Sequence, residues 1–252
     1  MNPLILRGKA IACGFLDAYS GTYASLGVIL LFILALILFA KMPDGRDSEN
    51  KSGIRASFGR LFKNSLYRYG VIAQFFYVGA QIGVWSFTIR IVMQELGILE
   101  AQASTIYLLT IIGFCLSRFI YTWLMKWISP VKLLLAGGIL STAMTVIVVA
   151  GAGSGWLMIT ALMLISFFMS LMFPTIYGLS LDGIAKSDHP DDAKLGASGL
   201  IMAILGGALI TPLQGLISDS TTIYISYIVP AICFMVVTAF AVYAVKMNKT
   251  NS

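Results

Sequence analysis

The chain has 252 residues, of which 58% are hydrophobic and only 11% charged, and its mean hydropathy is +0.89. Soluble domains carry about 25% charged residues, so a soluble globular class is excluded. The formal net charge of +6 would suit nucleic acid, but the basic residues lie between apolar runs, so membrane topology accounts for them and no nucleic-acid partner is implied. Those runs reach roughly the 18 residues that cross hydrocarbon as a helix. A transmembrane barrel would instead alternate polar and apolar residues over about ten positions. The fold class is therefore an all-α membrane protein with seven transmembrane helices. Its three cysteines (Cys13, Cys115 and Cys233) lack CxxC spacing, and its one histidine is His189. That set provides no metal site of the usual kinds. No nucleotide loop or nucleophile elbow occurs, so the reading is no enzyme, no catalytic residues and no cofactor.

Residues 1–21 are apolar but interrupted by charges and glycines, and read as an outer-side leader rather than a secretory signal. The first span covers 22–41. The loop 42–69 opens with MPDGRDSENKSG and continues as IRASFGRLFKNSLYRYG. The second part places Ile54, Phe58, Leu61, Phe62 and Tyr69 within an arc of roughly 100°. An interfacial helix or a solvated basic linker fits that pattern. Six further spans follow at 70–94, 103–126, 131–151, 155–180, 196–217 and 223–245, with a tail at 246–252. The breaks between them read GILEAQAS, SPVK, GAGSG, DGIAKSDHPDDAK and SDSTT. Of the 17 Lys and Arg residues, all but Arg7, Lys9 and Arg90 fall on one side of this alternation. The positive-inside rule then puts the C-terminus in the cytoplasm and the N-terminus of this chain outside.

Polar groups inside the spans are the candidates for function. On the second span, with Gln74 at zero, Tyr77, Gln81, Trp85 and Thr88 all fall within about 80°. Gly79 and Gly83 form a GxxxG pair on the opposite side, a surface for close helix approach. Amides offer donors and an acceptor to hydroxyls, and an indole face covers the apolar face of a pyranose. The stripe suits a neutral monosaccharide; hydrogen bonds to neighbouring helices are the other role open to its amides. On the fifth span Ser166, Ser170, Phe173 and Tyr177 share a face beside Pro174, which frees a carbonyl and bends the helix. On the third, Tyr107, Thr110 and Ser117 lie within about 80°. Arg90 reads as an end anchor, and Arg118 and Asp182 as interface or gate residues. No Asp, Glu or His sits at mid-span, where a proton-coupling group would be expected.

Several motifs occur in order: AQFFYVGAQIGVWSFTIR, CLSRFIYTWLM, SPVKLL, FMSLMFPTIYGLSL and GGALITPLQGLISD. From about residue 22 to 245 the chain resembles the C-terminal half of sugar–proton symporters of the major facilitator superfamily. It is most similar to the L-fucose permease group, whose relatives carry glucose and galactose. The resemblance implies that the seven spans match helices six to twelve of that fold, with 42–69 as the cytoplasmic linker and 70–245 as the six-helix C-terminal half. It implies a cytoplasmic-membrane carrier whose proton-coupling carboxylates belong to an N-terminal half, possible as a separate chain. By motif position Gln81, Trp85 and the PTI segment match cavity-lining residues. Phe173 stands where the fucose permease pattern has a tyrosine, and CLSRF where GRF is common.

The expected function is L-fucose:proton symport by a carrier of which this chain is the C-terminal part, with Gln74, Tyr77, Gln81, Trp85, Tyr107, Phe173 and Tyr177 facing the sugar. A glucose/galactose carrier of the same family is the near alternative. A seven-helix receptor, an accessory membrane subunit or a non-functional remnant are the distant ones.

Overall fold

The computed structural model describes residues 23–36, 53–185 and 190–250. The chain forms two units, 1–50 and 51–252. In the first, α1 (Tyr23–Leu36) is an apolar helix shorter than a full span over its described residues. The leader 1–21, His189 and the opening of the 42–69 loop lie outside the described residues.

The second unit is helical throughout its regular structure. It runs α2 (Gly53–Lys63), α3 (Ser65–Leu96), α4 (Glu100–Leu124), α5 (Pro130–Ala150), α6 (Trp156–Met169), α7 (Met172–Ala185), α8 (Pro190–Met202), α9 (Leu205–Ser220), α10 (Ile223–Ser226) and α11 (Ile228–Thr250). Among the described residues six stretches are long and apolar enough to cross a membrane. They are α3, α4 and α5, then Trp156–Asp182, Asp192–Ser220 and Ile223–Met247. Each of the last three is assembled from two helices joined at a break. All six spans expected between 70 and 245 are present.

The first of these helices is longer than its apolar run suggests. Asn64 caps it, accepting from the Tyr67 N–H at 3.2 Å, so α3 starts at Ser65 rather than near 70. It stops at Gly97, whose φ of 61° is the left-handed conformation that glycine adopts freely. Its 32 residues extend about 48 Å, against about 30 Å of hydrocarbon, so its ends project beyond the apolar layer.

α3 is the hub. It packs against α4, α6, α7, α9 and α11, and Tyr77, Val84 and Ile91 along it are fully buried. The glycine face works as its spacing suggests: Gly79 lies against Ile210 and Gly83 against the Gln214 side chain, both on α9. α9 reciprocates with Gly206, which lies on the main chain of Phe75, and Gly207, which lies on Ile82. Lipid tails are as apolar as leucine, so helices in a bilayer are held by such close van der Waals contact rather than by escape from water. α4 is the least enclosed span, with 17% of its most apolar window buried.

The amphipathic segment of the linker forms α2 and docks on α8. Arg60 donates from Nε and Nη2 to the two carboxylate oxygens of Asp192 at 2.8 and 2.7 Å, and from Nη2 to Ser57 Oγ at 2.9 Å. Hydrogen bonding to that carboxylate raises the Arg60 pKa above its ordinary value. Leu61 is buried with Tyr67, Ile184 and Leu200, while Phe62 beside it is exposed. The Tyr67 hydroxyl donates to the Gly196 carbonyl at 3.1 Å.

The α3–α9 seam gives a direct test. A Cβ at Gly206 would strike the Phe75 carbonyl, which is backbone and has no rotamer to yield. At Gly178 a Cβ would meet nothing within 4 Å. Gly206→Ala should therefore lower stability by about 1–3 kcal/mol, while Gly178→Ala leaves it unchanged or slightly raised. Unfolding in detergent, followed by circular dichroism, measures both.

Candidate functional site

The stripe expected on α3 divides into two depths. Gln74 and Tyr77 are fully enclosed, whereas Gln81 and Trp85, two and three turns further on, are half-buried. The Trp85 indole donates from Nε1 to Ser166 Oγ on α6 at 3.3 Å. Its ring meets Phe114 of α4 edge to face, with centroids 5.1 Å apart. Three helices thus fix the plane of the indole. Gln81 makes no hydrogen bond to any described residue, so its amide is available. Thr88, the last member of the stripe, turns back on its own helix and donates to the Val84 carbonyl at 2.7 Å.

A second aromatic group surrounds the break in the fifth span. Pro174 has no N–H, so the carbonyl four residues earlier, on Ser170, lacks its helical donor. Arg118 Nη2 of α4 supplies one at 3.2 Å. The preceding carbonyl, on Met169, accepts from the Tyr77 hydroxyl at 2.9 Å. Ser117 and Ser170 hydroxyls meet at 2.6 Å. Immediately past the break, the Phe173 ring lies nearly parallel to that of Tyr177, 8° apart at 6.4 Å, and meets Tyr77 edge to face at 6.3 Å. Phe173 and Tyr177 are half-buried.

The expected residues therefore assemble as two groups: Trp85 with Phe114, and Tyr77 with Phe173 and Tyr177. Tyr107 is half-buried on α4. By helical geometry it shares a face with Phe114 and Arg118, all within about 40°. Thr110 and Ser117, expected beside Tyr107, turn inward instead: Thr110 donates to the Ile106 carbonyl, and Ser117 to that of Phe114. The sequence reading passed over Phe114 as a platform neighbour and gave Arg118 no partner. The 107–114–118 spacing and the four-residue rule for the proline carbonyl are the signals that would have found them.

Gln74 and Gln214 stand apart. Both are fully buried, and neither amide atom of either residue has a hydrogen-bond partner among the described residues. Interhelical glue, the alternative role for Gln74, is therefore not made here. A buried polar group left unmatched costs about 1–3 kcal/mol.

No family model matches the chain. The L-fucose-proton symporter of Haemophilus influenzae is 37% identical over 237 residues, covering 90% of this chain and 53% of its own length. That of Escherichia coli is 34% identical over 225 residues, covering 87% and 50%. A putative glucose/galactose transporter of Helicobacter pylori is 30% identical over 236 residues, covering 91% and 55%. The crystal structure of the E. coli fucose:proton symporter superposes with a TM-score of 0.75 at 35% identity, over 88% of this chain and 54% of that one. A second structure of the same carrier, a major facilitator superfamily transporter in the outward conformation, gives the same score and identity. Over these residues the chain is similar to carriers of the major facilitator superfamily. It spans about half the length of the curated relatives it matches, and a C-terminal half of the fold fits that length. Those relatives are named as transporters, which agrees with the non-enzyme reading and gives the receptor alternative no support.

Replacing Gln74 by leucine separates its two roles. Glue would be lost and stability would fall. The unpartnered amide predicts the reverse, a gain of about 1 kcal/mol or more for Gln74→Leu, read as a higher unfolding midpoint in detergent.

Proposed function

We propose that this chain forms the C-terminal wall of the sugar cavity in a sugar–proton symporter, with L-fucose as substrate. Gln81 and Trp85 are the centre of that wall: a free amide for the sugar hydroxyls beside an indole whose plane Ser166 and Phe114 hold fixed. Phe173, Tyr177 and Tyr107 extend the apolar and hydroxyl surface. Gln74 and Tyr77 lie behind it, where Tyr77 supports the break in the fifth span. The observation that carries the reading is the likeness to the fucose:proton symporter at 35% identity over 88% of this chain.

On this reading the chain lies in the cytoplasmic membrane with its C-terminus inside. α1 is the family's sixth helix, residues 42–69 are the central cytoplasmic linker, and a complementary N-terminal half completes the cavity. No acidic residue lies at the middle of a span, so the proton passes through that other half. Rocking of the two halves about a midplane site would alternate access.

One observation favours the glucose/galactose alternative. Phe173 offers no hydroxyl where the fucose pattern has a tyrosine, and its ring is engaged with Tyr177. Uptake settles the choice. In cells without native carriers, this chain co-expressed with the first five spans of the H. influenzae relative should take up labelled L-fucose. Trp85→Ala should reduce that uptake about tenfold or more, the loss of one stacked ring, and Trp85→Phe less. Stronger competition by galactose or glucose than by unlabelled fucose would reassign the sugar. Proton-driven accumulation by the chain alone would overturn the division between halves.

A further inference from the structure

Arg118 is the point where the two aromatic groups meet. It lies about 9 Å, six residues, from the end of α4, too deep for a plain end anchor, and it forms no ion pair with any described residue. Its guanidinium sits over the Phe114 ring at 5.4 Å, and that ring meets Trp85 edge to face. The same guanidinium donates to the Ser170 carbonyl that Pro174 leaves without a helical donor. That carbonyl lies three residues before Phe173. One planar cation thus touches the ring that supports Trp85 and the backbone that aims Phe173 and Tyr177.

We propose that Arg118 is a positioning residue. It stabilises the open turn of the fifth span and, through Phe114, sets the Trp85 platform and the Phe173–Tyr177 pair at a fixed spacing. A guanidinium suits this task because it can stack on a ring with its face while donating from its edge. Lysine could reach the carbonyl but, as a compact charge, would stack poorly on Phe114. The sugar-binding consequence rests on the proposed function; the coupling between the two groups does not.

The test uses the chain in lipid nanodiscs with Trp123, Trp127 and Trp156 replaced by phenylalanine, so that Trp85 is the single fluorophore. A fluorine label on the ring at position 173 reports the second group. Arg118→Gln should move both the Trp85 emission and the fluorine resonance, and Arg118→Lys should restore the resonance while leaving the emission shifted. Pro174→Ala returns an N–H to the Ser170 carbonyl. In that background Arg118→Gln should still shift Trp85 but no longer move the resonance at 173. A merely structural loss would instead add in full to the effect of Pro174→Ala. Arg118→Gln that leaves both signals in place, or shifts both equally with or without Pro174, overturns the proposal. In the co-expressed pair of halves, Arg118→Gln should also raise the KM for sugar about tenfold. If the unaltered pair takes up no sugar, the proposed function fails, and the two spectroscopic signals still decide the role of Arg118.

Discussion

Hydrogen bonds from side chains to main-chain carbonyls tie the helices of this bundle together and support the break in its fifth span. In hydrocarbon no water is available to a carbonyl that leaves its helical ladder, and each one left bare costs several kcal/mol. Three of the six spans are nevertheless interrupted. At the fifth, Tyr77 takes the Met169 carbonyl and Arg118 that of Ser170. Elsewhere Tyr227, at the junction of α10 and α11, gives its hydroxyl to Val84 on α3, and Tyr67 on α3 gives its own to Gly196 on α8. In all four cases a long side chain reaches from one helix to the backbone of another. Each contact holds two helices together, and the two at the fifth span also engage carbonyls at the break.

The same requirement gives α3 its two characters. On the glycine face the helix has almost no side chain, so α9 comes close enough to touch backbone at Gly206 and Phe75. On the opposite face it carries large polar and aromatic groups, and there side chains rather than backbone make the contacts, as Tyr77 does with Phe173 and Trp85 with Phe114. Backbone contact on one side and side-chain contact on the other come from one pattern in one helix. Gln81 and Trp85, the wall in the proposed function, lie half-buried on that second face, with Trp85 held by Ser166 and Phe114.

Much of this could be read along the chain. The six spans from 70 to 245 follow from uncharged length, and the opposed glycine and amide faces of α3 follow from 100° per residue. The proline in the fifth span announces a break. What the periodicity could not supply was the partner of each freed group. The reading placed Ser117 on the Tyr107 face, yet its hydroxyl turns to Ser170, because two short side chains meet where the C-terminal end of α6 packs on α4. The linker helix likewise showed its basic and apolar faces, but not that Arg60 would find Asp192, since that pair lies 132 residues apart.

The sequence by itself determined the solvent, the six crossings from 70 to 245 and which face of α3 is polar, because these depend on transfer energies and on a fixed helical period. It also carried the resemblance to sugar carriers, through motifs in order. The tertiary structure decided which polar groups are spent and which are free. Tyr77 and Ser166 are committed to a neighbouring carbonyl and to the Trp85 indole, while the Gln81 amide makes no such bond. Burial of Gln74 and exposure of Gln81 on one stripe had the same cause. A helical wheel gives angle but not depth, and depth depends on how far the neighbouring helices reach.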